Sequence, residues 1–265
     1  MPIITLTTDF GNDDPFDGVM KGVILGICPN VEIVDLTHNI SPQNIYQANF
    51  LLQSCYEYFP KGTIHICVVD PGVGSLRKPI LIETKKYYFI GPDNGIFTGI
   101  IEIEREEIKT VIELTEKKYW LPNVSHTFHG RDIFAPVAGH LAKMFLEISQ
   151  RGISTFGKSI SKDDLVRLPT HKLIKTKNSF EGIVQYIDHF GNIITNIPNK
   201  DIKDKITGRV KGFNFDRLVS NFAEGEDGKP TAIKGSSGYI EIFIYKGNAS
   251  KLTSVNVGDK VDVKY

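Results

Sequence analysis

Short apolar runs alternate with amphipathic stretches over residues 1–165, and this alternation is typical of an α/β domain. Several runs are rich in apolar, β-branched or aromatic residues, have the length of a strand and end near Asp, Gly or Pro. The predicted strands are Ile3–Thr8, Val31–Thr37, Thr63–Val69 and Tyr87–Ile90. The pattern therefore predicts an α/β unit, a mixed sheet flanked by helices, over residues 1–165.

Two helices are predicted in this part of the chain. The first begins near Ser41, which can cap it, has Pro42 in its first turn and ends before Pro60. Its apolar positions recur at helical spacing on one face, at Ile45, Ala48, Leu52, Cys55 and Phe59. The second covers Asp132–Glu147, with Pro136 in the first turn, where the missing N–H costs little.

A polar, lysine-rich stretch at 164–179 separates this region from one of different character. Beyond it, strand-like runs alternate with clusters of Gly, Asn and Asp and show little helical periodicity. The predicted strands are Gly182–Ile187, Ile193–Ile197, Tyr239–Tyr245 and Lys260–Lys264. Residues 175–265 are therefore predicted to form a smaller antiparallel β domain of about 90 residues, a barrel or a sandwich.

Charge and composition narrow the class of partner. The 31 basic and 31 acidic residues cancel, so no net field attracts nucleic acid or an anionic lipid surface. No apolar run approaches the ~20 residues of a membrane span, and no signal peptide is recognisable. The three cysteines lack C-x-x-C spacing, and their odd number argues against a secreted disulfide framework. We expect a cytoplasmic protein whose partner is a small molecule, with no nucleic acid and no membrane involved.

Polar residues and glycines gather near the ends of predicted strands in five places. The carboxyl ends of strands are where α/β sheets bind their ligands. The segments are T-T-D-F-G-N at 7–12, D-P-G-V-G at 70–74, G-P-D-N-G at 91–95, F-H-G-R-D-I-F-A-P at 128–136 and D-H-F-G-N-I-I-T-N at 188–196. Each segment alone is typical of an ordinary turn. Five of them in this order are hard to explain as turns.

In this order the segments resemble the S-adenosylmethionine hydroxide adenosyltransferases, relatives of the fluorinating and chlorinating adenosyl enzymes. The resemblance covers nearly the whole chain, from Thr7–Gly11 to Gly235–Tyr239 and Gly247–Ala249. It implies hydrolysis of S-adenosylmethionine to adenosine and methionine, with no cofactor and no metal. It also implies an N-terminal α/β domain and a smaller all-β barrel as the C-terminal domain. The implied assembly is a homotrimer with active sites between the N-terminal domain of one subunit and the barrel of a neighbour.

The resemblance assigns Asp70, Arg77 and His129 as catalytic residues. The sulfonium of the substrate already makes methionine a good leaving group, so the difficult step is the activation of water, whose pKa is ~15.7. His129 suits a proton acceptor, Arg77 a fixed positive charge, and Asp70 a hydrogen-bond acceptor that orients the water or the arginine. Without the resemblance, a turn-capping aspartate, a solvated arginine and a structural histidine explain the same residues.

A second set of residues matches the substrate-binding positions of the family. Asp9 would bind the ribose hydroxyls, Asp188 the substrate ammonium and the Ser236–Ser237 pair its carboxylate. Adenine needs a flat apolar slot with amide hydrogen bonds, which aromatic rings and Asn192 can supply. The full set is Asp9, Phe10, Phe128, Asp188, Phe190, Asn192, Ser236, Ser237, Asn248 and Ala249. On their own, the aspartates also fit strand-end caps and the phenylalanines fit core positions.

Departures from the fluorinating enzymes concern the nucleophile. Those enzymes have Tyr-Pro where this chain has Asp70–Pro71, and Thr and Ser where it has Val73 and Gly130. They also have Trp and Arg in place of Gln43 and Ser237. This chain lacks the hydroxyl donors that would hold a halide, so water is the expected nucleophile.

Two other functions stay open on the sequence alone. The start T-T-D-F-G-N-D-D resembles the D-T-D-P-G-x-D-D calcium motif of nucleoside hydrolases, although the first Asp and the Pro are absent. Asp13, Asp14 and Asp17 also fit charges near a helix N-terminus. A non-catalytic protein that binds adenosine or S-adenosylmethionine is the second alternative.

The remaining histidines have no assigned chemistry. His126 lies three residues before His129, but no nearby carboxylate or cysteine completes a zinc set. His189 follows Asp188 and fits a surface position as well as a substrate contact. The others are His38, His65, His140 and His171.

Overall fold

The computed structural model describes residues 1–147, 152–169, 173–203 and 205–265. It divides the chain into two compact units, Met1–Leu168 and Pro169–Tyr265. His171 and part of the predicted connector lie outside the described residues. The two-domain architecture with sheets and helices follows the prediction from the sequence.

Unit 1, Met1–Leu168, is built on a seven-stranded sheet. Its strands are β1 (Ile3–Thr8), β2 (Glu32–Thr37), β3 (Ile64–Val68), β4 (Pro79–Thr84), β5 (Tyr88–Pro92), β6 (Ile108–Leu114) and β7 (Gly157–Ser159). Their order across the sheet is β2-β1-β3-β5-β4-β6-β7. The pairs formed by β1, β2, β3 and β5 are parallel, whereas β4, β6 and β7 pair antiparallel with their neighbours. The predicted mixed sheet is confirmed, and the sequence pattern missed β4, β6 and β7.

The α-helices of the described part of unit 1 are α1 (Phe16–Ile27), α2 (Ile45–Cys55), α3 (Thr98–Ile103) and α4 (Ala135–Leu146). Consecutive side chains of a strand point to opposite faces of the sheet. On β3, Ile66 and Val68 belong to an apolar cluster with residues of α1 and α4, while Cys67 belongs to a second cluster with residues of α2 and α3. Helices therefore cover both faces of the sheet. None of the helices in the described ranges is long and apolar enough to cross a membrane.

The helix α2 begins later than predicted. Asn44, not Ser41, is its cap, because the side chain of Asn44 accepts a hydrogen bond of 3.0 Å from the backbone N–H of Gln47. Gln43 has a φ of 65°, in the left-handed region, and this interrupts a helical path that would start near Ser41. The helix ends at Cys55, so Phe59 of the predicted apolar stripe lies beyond it.

The helix α4 also begins later than predicted, at Ala135 instead of Asp132. The segment Gly130–Phe134 forms a π-helical turn directly before it. Pro136 lies in the first turn of α4, as predicted. Insertion of a π turn is frequent at functional sites, and this one follows His129.

Unit 2, Pro169–Tyr265, contains a nine-stranded sheet and the short helix α5 (Ala249–Thr253). Its strands are β8 (Ile174–Lys175), β9 (Ser179–Ile187), β10 (Ile193–Pro198), β11 (Thr207–Val210), β12 (Phe213–Phe215), β13 (Leu218–Val219), β14 (Thr231–Lys234), β15 (Tyr239–Phe243) and β16 (Lys260–Lys264). The order is β12-β11-β16-β9-β10-β15-β14-β13, with β8 on β9. Every pairing is antiparallel except β13 with β14. The unit is mainly β. The prediction of an all-β domain did not include the short helix α5, which Asn248 caps.

Candidate active site

Three side chains predicted to be catalytic lie together in unit 1. Asp70 and Arg77 lie in the loop between β3 and β4, and His129 directly precedes the π-helical turn. The Arg77 Nε donates to Asp70 Oδ1 at 3.0 Å, and Arg77 Nη2 donates to Asp70 Oδ2. The same Nη2 lies 2.8 Å from His129 Nδ1. The guanidinium therefore joins the carboxylate to the imidazole, and both charged side chains are largely buried.

The contact between Arg77 and His129 determines which nitrogen of the histidine carries the proton. A guanidinium has only donors, so His129 Nδ1 must accept. A neutral imidazole has one such lone pair, which places its proton on Nε2. Burial, and secondly the charge of Arg77, lower the pKa of His129, while Asp70, Asp132 and a hydrogen bond with the Ser125 backbone act in the opposite direction. His129 is therefore neutral near pH 7. In this arrangement its one available lone pair, on Nδ1, accepts the hydrogen bond from Arg77.

Asp132 holds the segment before His129 in place. This carboxylate is fully buried and accepts from the backbone N–H of Ser125 at 2.8 Å, from Ser125 Oγ at 2.7 Å and from Arg131 Nε at 2.6 Å. Ser125 Oγ in turn accepts from the backbone N–H of Phe128 at 3.1 Å. Burial acts to raise the pKa of Asp132, but the hydrogen bonds from Arg131 and Ser125 outweigh it and lower the pKa. An ionised Asp132 therefore ties residues 125–128 to the turn that follows His129.

Gly74 lets the loop that carries Asp70 and Arg77 approach the loop that carries His129. It has a φ of +77°, and a Cβ added there would lie 2.3 Å from the backbone oxygen of His126. A side chain at this position would force the loop of Asp70 and Arg77 away from the loop of His129. The second glycine of the D-P-G-V-G segment is therefore required for assembly of the three side chains.

Substitution Gly74→Ala should lower kcat/KM by about tenfold, because small displacements of reacting groups are costly. The value of kcat/KM is measured by steady-state kinetics of the expected S-adenosylmethionine hydrolysis, and circular dichroism tests whether the variant is folded. The matched control is Gly62→Ala, since Gly62 also has a positive φ of +87° but has nothing within 4 Å of its added Cβ. Equal activity of the two variants would show that the close approach at Gly74 does not matter for catalysis.

Three residues predicted to bind the nucleoside lie in unit 1, and one of them, Phe128, directly precedes His129. Asp9 follows β1, and its Oδ2 accepts from the backbone N–H of Gln43 at 2.7 Å. The rings of Phe10 and Phe128 meet edge to face with centroids 5.7 Å apart. Phe16 completes this aromatic cluster at 5.6 Å from Phe10 and 5.3 Å from Phe128, and the sequence analysis missed it. Its position shortly after the selected segment 7–12 was the available signal.

The G-P-D-N-G segment supports the site without belonging to it. The Asn94 amide donates to the backbone oxygen of Val69 at 2.9 Å, directly before Asp70. The buried Asp93 accepts from the backbone N–H of Val166 at 2.9 Å. This segment therefore anchors the end of β3, from which the catalytic loop starts.

Several of the other predicted substrate residues cluster in unit 2. Asp188 Oδ1 accepts from the Asn192 backbone N–H at 2.8 Å and Asp188 Oδ2 from the Asn192 amide at 2.9 Å. Asn248 caps α5 by accepting from Lys251 N–H at 2.8 Å, and the following Ala249 is fully buried. The turn 188–192 contacts the start of α5, because the Ser250 N–H donates a hydrogen bond of 3.0 Å to the backbone oxygen of Gly191.

The remaining predicted residues are differently exposed. Phe190 is 72% exposed at the tip of its turn, so its ring has a free face. Ser236 is exposed and Ser237 is half-buried in the turn between β14 and β15. Ser237 Oγ is buried and has no hydrogen-bond partner among the described residues. Nearby on β15, Glu241 is a buried carboxyl that the sequence analysis did not select, although an acidic residue inside the apolar run Y-I-E-I-F was a visible signal.

One group in the described part of the chain has the geometry of a metal site. Ligand atoms of Asp17, Asp35 and His38 lie within 4.8 Å of one another. Lys21 Nζ already lies 2.8 Å from Asp17 and 2.6 Å from Asp35 and supplies the positive charge there. Asp13 and Asp14 of the calcium-motif alternative do not belong to this group, and Asp17 lies in the first turn of α1, as predicted.

Comparison with known proteins identifies the family of the chain. Residues 4–151 match the family model of the SAM hydroxide adenosyltransferase N-terminal domain, and residues 182–262 match that of the C-terminal domain. An (R)-S-adenosyl-L-methionine hydrolase of Methanocaldococcus jannaschii is 36% identical over 100% of this chain and 97% of its own length.

More distant relatives and a solved structure extend the comparison. A fluorinase of an Actinoplanes species is 27% identical over 91% of this chain and 90% of its own length. A crystal structure of an uncharacterised conserved protein from Thermotoga maritima has a TM-score of 0.88 and 33% identity, covering 98% of this chain and 99% of that one. The resemblance found in the sequence is confirmed. The chain belongs to the SAM hydroxide adenosyltransferase family.

Proposed function

We propose that the protein is an enzyme that hydrolyses S-adenosyl-L-methionine to adenosine and L-methionine. The observation that carries the proposal is the placement of Arg77 between Asp70 and His129. Water attacks the 5′ carbon of the ribose in line with the sulfonium, the O–C5′ bond forms as the C5′–S bond breaks, and the electron pair leaves with methionine. The names of relatives at 33–36% identity, (R)-S-adenosyl-L-methionine hydrolase, support this reaction.

The geometry supports a particular division of roles. Arg77 is a fixed positive charge that stabilises the hydroxide-like oxygen during attack. His129 is not the proton acceptor in this arrangement, because its lone pair is used by Arg77. Asp70 keeps lone pairs beside its bonds to Arg77, since each carboxylate oxygen accepts more than one hydrogen bond. As the O–C5′ bond forms, the water gives up a proton to the Asp70 carboxylate, so that the attacking oxygen is hydroxide-like and the product is the neutral 5′ hydroxyl of adenosine.

The substrate-binding assignments are part of the same proposal. Asp9 binds the ribose hydroxyls, Asp188 binds the ammonium and Ser236 and Ser237 bind the carboxylate. Adenine is held by ring faces, by amide groups and by the backbone at the start of α5. The residues of this adenine subsite are Phe10, Phe128, Phe190, Asn192, Asn248 and Ala249.

Three further parts of the proposal concern the whole protein. Residues 1–165 carry the nucleoside and water-activating groups, and the strands of 175–265 curl into a barrel. The enzyme is a homotrimer, which light scattering coupled to size exclusion measures. It acts in the cytoplasm, a location supported by the free cysteines Cys28, Cys55 and Cys67.

Hydrolysis in oxygen-18 water tests the reaction. The label should appear in the 5′ hydroxyl of adenosine, as measured by mass spectrometry, and methionine should stay unlabelled. Adenine as the main product, with activity lost on adding a chelator, would favour the nucleoside hydrolase instead. Tight binding of S-adenosylmethionine without turnover would favour the non-catalytic alternative.

A further inference from the structure

Glu241 lies on the same sheet face as the turn that carries Asp188. In the ladders of unit 2, Glu241 pairs with Ile194 of β10 and with Ile233 of β14, and Ile194 pairs with Tyr186 of β9. Paired residues share a face, and side chains two positions apart on a strand do so as well. Asp188 lies two residues beyond Tyr186, and the Asp188 N–H donates to the Asn192 oxygen at 3.1 Å, which continues the pairing. Glu241 and Asp188 therefore lie on one face.

This face is the one opposite the main core of unit 2. Ile240 and Ile242, the neighbours of Glu241 on β15, belong to that core and are fully buried. Glu241 is 8% exposed, so most of this residue is covered although its side chain points away from the core. A carboxyl buried in this position needs partners, because desolvation of an acid is costly.

The carboxyl is directed towards the serine turn. A Cβ added to Gly235 would lie 2.0 Å from Glu241 Oε1, so the absence of a side chain at Gly235 makes room for the carboxyl. Gly235 directly precedes Ser236 and Ser237, and Ser237 Oγ is the buried hydroxyl without a partner. Glu241 therefore lies between Asp188 and the two serines, the groups proposed to bind the amino-acid end of the substrate.

In the described part of unit 2, the strands paired with β15 place no positive charge on the face of Glu241. Among the described residues no hydrogen bond reaches its carboxyl, in contrast to the buried Asp132, which accepts from Ser125 and Arg131. Burial, and secondly the charge of Asp188, raise the pKa of Glu241 to about 7. Lys234 of β14 pairs with Ile240 and thus belongs to the opposite face, and the paired strand segment Ile193–Ile194 of β10 carries no charge. This face therefore carries two carboxyls, and no cation of the paired strands β10 and β14 lies on it.

Resting on the proposed function, we infer that Glu241 and Asp188 together bind the primary ammonium group of the amino-acid end of the substrate. An ammonium has three N–H donors and binds well to two carboxylates. When it binds, Glu241 gives up its proton to solvent. Substrate binding therefore becomes tighter as the pH rises from 6.0 to 7.5.

The variant Glu241→Gln tests this inference, because glutamine keeps the size of the side chain and removes its charge. We expect KM for S-adenosyl-L-methionine at pH 7.5 to rise about tenfold, the effect of one lost charge-assisted hydrogen bond, with the change in KM rather than kcat. The KM of the wild type should fall between pH 6.0 and 7.5, and that of the variant should stay flat. The matched control is Glu181→Gln, an exposed glutamate of β9.

A second measurement separates substrate binding from a structural role. Calorimetry of L-methionine binding to adenosine-saturated protein, in buffers of different ionisation enthalpy, counts the protons released. The wild type should release on the order of half a proton at pH 7 and Glu241→Gln almost none. Equal KM values and equal proton release in both proteins would overturn the inference and leave the proposed function intact. A wild type that neither binds nor hydrolyses S-adenosyl-L-methionine would overturn both.

Discussion

Substitution Arg77→Met should lower kcat for S-adenosyl-L-methionine hydrolysis by about 10²–10³-fold, the usual cost of removing one preorganised electrostatic group. Methionine fills the space but removes the donors to Asp70 Oδ1 and Oδ2 and to His129 Nδ1. It leaves a largely buried carboxylate without its counter-charge and removes the positive potential that stabilises the attacking oxygen. Adenosine formation followed by liquid chromatography measures kcat, and adenosine affinity should change less than threefold, a margin of about 0.7 kcal/mol.

Arg77→Lys is the informative companion variant. A lysine keeps the charge but presents one compact donor group, so it does not reproduce the forked contact with Asp70 and His129. Its kcat should lie between those of the wild type and Arg77→Met. The control is Arg105→Gln, an exposed arginine of the same unit that pairs with Asp163. An Arg77→Met enzyme with more than a tenth of wild-type kcat would remove Arg77 from the proposed mechanism.

The sequence pattern predicted the strands that carry the first segments of the site but missed α1. That helix has the sequence F-D-G-V-M-K-G-V-I-L-G-I, and three glycines within twelve residues lower its helix propensity. The structure explains why it forms. Gly18, Gly22 and Gly26 have open space around them, while Met20 and Ile24 are fully buried. Burial of one apolar stripe decides the conformation, and local propensity alone does not reveal it.

For the candidate site, the residue types could be predicted from the sequence, but the orientation of their side chains is known only from the structure. The segments around Asp70 and His129 were selected from the sequence, and the family resemblance joined them. The role of His129 depends on which of its nitrogens meets Arg77, which is a property of the folded loops and not of the motif. Glu241 was missed because its alternation with isoleucines fits an ordinary half-exposed strand, and its burial follows from pairing with β10 and β14.

We expect unit 1 to lose stability at acidic pH because of the buried His65. The ring is fully buried, stacks on Phe89 at a centroid distance of 5.3 Å and meets Tyr56, Phe59 and Tyr87 edge to face. The only hydrogen bond of the ring among the described contacts joins Nδ1 to Thr5 Oγ1 at 2.8 Å. Burial lowers the pKa of His65 to about 3. The folded protein therefore resists protonation of this histidine.

The lowered pKa of His65 determines how the free energy of unfolding changes with pH. The unfolded chain takes up a proton at His65 below its ordinary pKa of about 6.5, while the folded chain does not until about pH 3. The stability due to a neutral His65 is complete above pH 6.5 and is lost as the pH falls, by about 1.4 kcal/mol per unit, or about 3 kcal/mol at pH 4. Substitution His65→Gln removes this term, because glutamine is neutral throughout and can still bond to Thr5.

Urea unfolding at pH 7.5 and pH 4 measures the effect. The single tryptophan, Trp120, lies in unit 1 and packs against its core, so its fluorescence reports on the unit that contains His65. His65→Gln should be less stable than the wild type at pH 7.5, owing to poorer packing, and the difference should shrink by about 3 kcal/mol at pH 4. The exposed His126→Gln is the control and should keep the wild-type pH dependence. A difference between His65→Gln and wild type that is the same at both pH values would mean that His65 is protonated in the folded protein, despite its burial among four aromatic rings.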